Sequence, residues 1–211
     1  MSAHIPGTTR RALLAAPVVL VLASTAARAD DPAAAVPIQA LNQALSASMR
    51  AGTKSPFPQR FNLVAPAVDA AFDLPGVLAA SVGPRYATLP PDQQAALLGA
   101  FRKFTVASYT ANFDVDDGTR LELLPAQRTV GTDLVVSTRI VPRSGDPTPI
   151  DYVMRRGPQG WRAVDVLLNG SISQNAVKRS DFRSLVTATS AQPLIDSLRR
   201  KVAELSGGTL S

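Results

Sequence analysis

The sequence predicts an α+β domain in which a twisted, antiparallel four-stranded sheet is wrapped by N- and C-terminal helices. Three observations predict it. Apolar residues recur at three- and four-residue spacing as far as about Asn112, the period falls to two between Thr119 and Leu168, and helical spacing returns after Ser171. The segments of period two are separated by turns of hairpin length, so neighbouring strands should pair as a meander.

In chain order, the stretch beginning Ile38–Leu45 opens a helix whose stripe is Ile38, Leu41, Leu45 and Met49, and Ala51–Pro56 breaks it. Phe57–Phe72 is a second helix, or two pieces divided at Pro66, with Phe61, Val64, Val68 and Phe72 on one face. Asp73-Leu74-Pro75 is a cap and restart for a short helix that stops at Gly83-Pro84. Leu89-Pro90-Pro91-Asp92 opens the longest helix, with prolines placed where first-turn amides lack partners in any case. It runs to about Asn112. Leu97, Phe101, Phe104 and Ser108 form one stripe and Leu98, Thr105 and Tyr109 lie beside it, a wide face expected to lie flat on the sheet.

The expected strands are Arg120–Gln127, Asp133–Pro142, Thr148–Arg156 and Trp161–Leu168, with turns at Ser144–Pro147 and Gly157–Gly160. In the last strand Trp161, Ala163, Asp165 and Leu167 fall on one face and Arg162, Val164, Val166 and Leu168 on the other. Asn169-Gly170 ends it, since both residues tolerate the left-handed backbone that reverses a chain. Ser171 and Gln174 have the spacing of a capping box, so a helix is expected over Ser171–Ala188 and another over Ser190–Leu205, stopped by Gly207-Gly208.

The first 29 residues have the form of an export signal. Arg10-Arg11 precedes an apolar run too short to span a bilayer, and Ala27-Arg28-Ala29 is a small-x-small cleavage site, giving a cut after Ala29. Thr9–Leu14 fits a twin-arginine motif or the basic end of an ordinary Sec signal, and both remain open. The expected organisation is therefore a signal over 1–29, one domain over 30–206 and a tail over 207–211. The cut removes Arg10, Arg11 and Arg28 and no acidic residue, lowering the net charge from +6 to +3. A charge of that size gives no footprint for nucleic acid.

Composition excludes much chemistry. There is no cysteine, and the single histidine, His4, lies in the signal. Thiol nucleophiles, histidine-dependent triads and the usual zinc sites are thereby absent from the exported chain. Asp114-Val115-Asp116-Asp117-Gly118 is a turn sequence and lacks calcium-loop spacing, and no Gly-rich phosphate loop occurs. No catalytic group, metal ligand or cofactor is assigned. Asp165, in an apolar strand, is either a buried carboxylate with a raised pKa or the partner of Arg179 or Arg183 on the next helix. Asp165 or Asp151 is the base in the enzyme alternative, which acts on an apolar substrate. A third reading is an adaptor with a solid core, docked through Lys178, Arg179 and Arg183. Apolar residues make up 45% of the chain but aromatics only 5%, so the core is built of small side chains that can leave a cavity.

Arg60-Phe61, Phe72-Asp73, Gly83 with Tyr86, the Phe101–Tyr109 helix, Val136-Ser137-Thr138, Tyr152, Trp161, Asp165, Gly170, Ile172-Ser173, Arg179 and Phe182 together resemble the MlaC/toluene-tolerance auxiliary family. The Gly-Ser-Ile-Ser and Lys-Arg-Ser-Asp-Phe runs are most similar to its hopanoid-biosynthesis-associated branch, known as HpnM-like. The resemblance implies a periplasmic carrier whose sheet and helices enclose a deep apolar cavity for acyl chains. It implies lipid contacts from Phe72, Leu97, Phe101, Phe104, Tyr109, Val136, Tyr152, Trp161 and Val166. It also implies docking by Lys178, Arg179 and Arg183 to inner-membrane transporter components, and transient membrane contact. Two departures, Lys178 where an aromatic is common and Asp181 where Gln or Glu is common, stand beside an extra serine, Ser171. They shift the implied ligand from a phospholipid towards a hopanoid or another polycyclic lipid.

Overall fold

The computed structural model describes Met1 and residues 30–210; the expected signal and its cleavage motif lie outside the described residues. The first helix, α1 (Pro32–Ala51), starts six residues earlier than its apolar stripe indicates, because Asp31 caps it by accepting from the Ala33 amide. Pro32 sits in the first turn, where its missing N–H is harmless. Then follow α2 (Phe57–Ala71), α3 (Leu74–Val82), the single turn α4 (Arg85–Thr88) and α5 (Pro91–Asn112). Helix α2 runs through Pro66 without division, its Val64, Ala65 and Val68 flank buried against the core. Asp73 caps α3 through the Gly76 amide, as its sequence position indicates.

The sheet follows as β1 (Arg120–Val130), β2 (Asp133–Val141), β3 (Thr148–Gly157), β4 (Gly160–Leu168) and a two-residue β5 (Ile172–Ser173), all antiparallel in sequence order. The fifth strand is an addition to the expected four. It forms because Asn169, at φ 53°, and Gly170 turn the chain back so that Ile172 and Ser173 pair with Leu168 and Leu167. The helix cap therefore falls on Ser173, not on Ser171. Helix α6 (Gln174–Phe182) is also shorter than expected, and α7 (Gln192–Leu205) closes the fold.

Two bulges redirect the strands. Between Leu123 and Gln127 the β1 register shifts at a segment containing Pro125, which cannot donate to a ladder. In β4, Met154 pairs with Ala163 but Val153 pairs with Asp165, leaving Val164 as the extra residue. This overturns the strict alternation expected for that strand. Ala163 and Val166 face the same side, opposite Met154 and Tyr152.

The helix that lies across the sheet is α1, which touches β1 to β4; the expectation that α5 lies flat there is wrong. Helix α5 packs chiefly on α7 and α2, burying Leu97, Ala100, Phe101, Val106, Ala107 and Thr110, so its core face is rotated from the expected stripe. What separates α5 from the sheet is a cavity. Near one end of α5, buried Arg60 donates to the Thr110 carbonyl at 3.1 Å and to the Ser55 carbonyl at 3.2 Å, joining α2 to a helix terminus whose last carbonyls lack donors of their own.

Candidate functional site

The cavity between α5 and the sheet encloses about 570 Å³. Phe101, Thr105, Ser108, Tyr109 and Asn112, at helical spacing, make the α5 wall. Opposite stand Leu121, Thr138, Ile140, Ile150, Tyr152 and Val166, projected from one face of β1 to β4. Leu45 and Met49 of α1 close one side, with Phe72, Leu74 and Val77 beneath. The serine and threonine hydroxyl groups in these walls are turned back onto backbone. Thr105 Oγ1 donates to the Phe101 carbonyl at 2.9 Å, Ser108 Oγ to Phe104 at 2.8 Å and Thr138 Oγ1 to Ile150 at 2.8 Å. Residues that are polar in the sequence thus leave mainly carbon facing the space.

Phe72 is the fixed point of the aromatic part. Its ring lies 5.7 Å from Tyr109 and 6.1 Å from Tyr152, and Tyr109 stacks on Phe113 at 6.4 Å. Its backbone bridges Ala163, and the Asp73 amide donates to the Ala163 carbonyl at 3.0 Å, beside the β4 bulge. Burial pushes the Tyr109 hydroxyl well above its ordinary range, with Tyr152 beside it adding to the effect. Burial likewise pushes Tyr152 up to about 12, against the opposing influence of Tyr109. Both phenols stay neutral across the physiological range.

The mouth is polar. Asp114, Asp117 and Thr119 lie on the loop after α5, Arg139 on β2, and Gln174, Asn175 and Lys178 on α6. Arg139 is held by Glu122, at 2.8 Å and 2.7 Å. Asp165 also borders the cavity, but its oxygens serve the fold. They accept from Ser173 Oγ at 2.5 Å, the Asn175 amide at 3.1 Å and the Val166 amide at 2.8 Å. The expected ion pair of Asp165 with Arg179 or Arg183 is not formed.

Of the nine residues expected to line the cavity, Phe72, Phe101, Tyr109, Tyr152 and Val166 do so. Leu97 is buried in the solid core instead and Phe104 packs against it, because α5 is rotated about its axis, while Val136 is buried in the core two residues along β2 from the wall residue Thr138. Trp161 packs on the core and donates its indole N–H to Asp31 Oδ2 at 2.9 Å, which makes it part of the α1 clamp. Lys178, expected at a docking face, lines the cavity mouth. Arg179 and Arg183 are exposed, and Arg179 donates to the Ala80 carbonyl at 2.9 Å and 2.7 Å, capping α3. Ile150, not singled out from the sequence, was marked by its two-residue offset from Tyr152, and Thr138 stood in the run that carries the resemblance but not among the expected lipid contacts. The Leu45–Met49 wall was already visible as the α1 stripe.

A sequence model of the family described as MlaC protein matches residues 39–200. The chain belongs to the MlaC family. A solved structure similar to this MlaC-family chain is the phospholipid-binding protein from Ralstonia solanacearum in complex with a phospholipid. It is 17% identical, with a TM-score of 0.68, covering 82% of this chain and 98% of that one, and shows a shared fold. No curated protein sequence matches the chain. Among the described residues of this MlaC-family protein, no group of three or more acidic residues could hold a metal ion, and no helix is long and apolar enough to cross a membrane. Asp151, the other acid considered as a base, is nearly buried and accepts from Arg128 Nη2 at 2.9 Å.

Proposed function

We propose that this protein is a periplasmic lipid carrier. It holds a phospholipid or hopanoid tail between α5 and the sheet and passes it between membranes through inner-membrane transporter components, with transient membrane contact. The observation that carries the reading is the carbon-lined cavity in a member of the MlaC family, whose Ralstonia structural neighbour holds a phospholipid. A cavity of about 150 Å³ takes one benzene, so about 570 Å³ has room for roughly twenty carbon atoms, one long chain. Burying about fifteen methylenes is worth about 12 kcal/mol before the costs of association, enough to hold a tail that water rejects. Such a carrier requires no reacting group. The acids that an enzyme reading would use, Asp165 and Asp151, are committed to hydrogen bonds that hold β4, α6 and β1 in place.

The test is organic extraction of protein purified without detergent from its native periplasm, followed by mass spectrometry. A stoichiometric lipid is the expected result, and its identity decides between phospholipid and hopanoid. A protein that is empty and also refuses added lipid rejects the carrier reading.

A further inference from the structure

We infer that Lys178 is the headgroup subsite of this cavity, its ammonium taking the phosphate or carboxylate of an amphiphile whose tail lies between α5 and the sheet. The inference rests on the carrier reading above. Lys178 lies one turn beyond Gln174 and Asn175 on α6, so the three share a helix face, and all three border the mouth. The residue is half-buried, and among the described residues its ammonium has no hydrogen bond and no ion pair within 4 Å. Asp165 and Asp181 act on it only at longer range, pulling its pKa back up against the burial that lowers it. Asp165 cannot easily turn towards it, because its two oxygens already serve Ser173, Asn175 and Val166.

The other cation that lines the opening is engaged, and so is the neighbouring arginine on α6. Arg139 is paired with Glu122, and Arg179 donates to Ala80. Among the described residues, Lys178 is therefore the cation lining the mouth that no protein group hydrogen-bonds or pairs with at contact distance. A partly desolvated charge without a partner is costly to the free protein, and a ligand anion supplies what is missing. Asp114 and Asp117 stand across the opening on the loop after α5, so an anion is favoured on the α6 side and disfavoured opposite. An amphiphile entering tail first would leave its head at this level, where Asn175 and Gln174 offer further polar contact.

The test uses the exported chain, stripped of lipid and titrated by calorimetry below micellar concentrations with two probes sharing one tail. These are oleoyl lysophosphatidic acid, which is anionic, and monoolein, which is neutral. Wild type is expected to prefer the anionic probe by about tenfold, the scale of one charge-assisted hydrogen bond. Lys178→Gln and Lys178→Met should bind the two probes alike, the ratio of the affinities falling from about tenfold to about one, and Lys178→Arg should keep the preference. Lys178→Met should also melt no lower than wild type, since it removes an unpaired, half-buried charge. If the two neutral variants retain the tenfold preference, or wild type shows none, the subsite is wrong and the carrier reading stands. If wild type binds neither probe, both readings fall together.

Discussion

Removing the Asp165 carboxylate tests whether it is structural. In Asp165→Ala, Ser173 Oγ loses its acceptor and the amides of Asn175 and Val166 are left without one. The Val166 amide has no alternative in the sheet on that side, since β5 pairs only with Leu167 and Leu168. These residues are half-buried, so each loss should lie near the low end for orphaned groups, about 1 kcal/mol, and the total at about 2–4 kcal/mol. For a chain of this size that lowers Tm by about 4–16 °C. Asp165→Asn keeps a carbonyl acceptor for the Asn175 amide, so about half the loss is expected. Urea unfolding followed by circular dichroism gives the energies, with the slope of the transition checking that the unfolded state is unchanged. The start of α6 should loosen first, read as faster hydrogen exchange at Asn175 and Ala176. An Asp165→Ala protein within 0.5 kcal/mol of wild type would refute the structural role, and loss of a catalytic turnover in a fully stable Asp165→Asn would revive the enzyme reading.

Alkaline pH should unfold the protein through its buried phenols. Tyr152 is raised to about 12 from 10.0, so its contribution is complete below pH 10 and lost as pH climbs through 12. The loss amounts to about 2–3 kcal/mol, with Tyr109 acting in the same direction. Lys178, lowered by burial, works oppositely as pH rises towards 10.5, so the diagnostic is that Tyr152→Phe flattens the limb above pH 10 in pH-dependent urea titrations. Thr105→Trp places an indole in the cavity from the α5 wall; lipid recovered by extraction should fall at least fivefold while Tm holds or rises. Asp31→Ala removes both the α1 cap and the acceptor for Trp161, and should cost about 1–3 kcal/mol with a change in tryptophan fluorescence.

Much of the fold was legible because its signals are local. The α3 cap at Asp73, the α5 span from Pro91 to Asn112 and the hairpin turns at Gly157–Gly160 all depend on neighbours in sequence. The failures are of another kind. Val164 is unremarkable as a residue, yet as a bulge it transfers the inward face from Asp165 to Val166, and only the partner strand decides that. The rotation of α5 is likewise set by α7 and α2 competing for its surface. For the cavity, aromatic content was a fair guide at Phe72, Tyr109 and Tyr152 but a poor one at Trp161, whose partner Asp31 is 130 residues away. Thr105 and Ser108 were placed on the wide face of α5 and Thr138 in the run that carries the resemblance, yet none was expected to contact lipid, because a hydroxyl satisfied by nearby backbone looks polar in a sequence and apolar in a wall.

The clamp at Asp31 also bears on how the chain can be processed. Asp31 caps α1, accepts from Trp161 and exchanges two backbone bonds with the Gln127 side chain, each at 3.0 Å. Folding thus uses the chain from its thirty-first residue onward, and the expected cut after Ala29 leaves a margin of one residue, Asp30. A peptidase that trimmed two residues further would unfasten α1 from the sheet and open the side of the cavity that Leu45 and Met49 close. For recombinant work, the boundary of an N-terminal tag should lie before Asp31, with a flexible spacer, so that the capping carboxylate keeps its geometry.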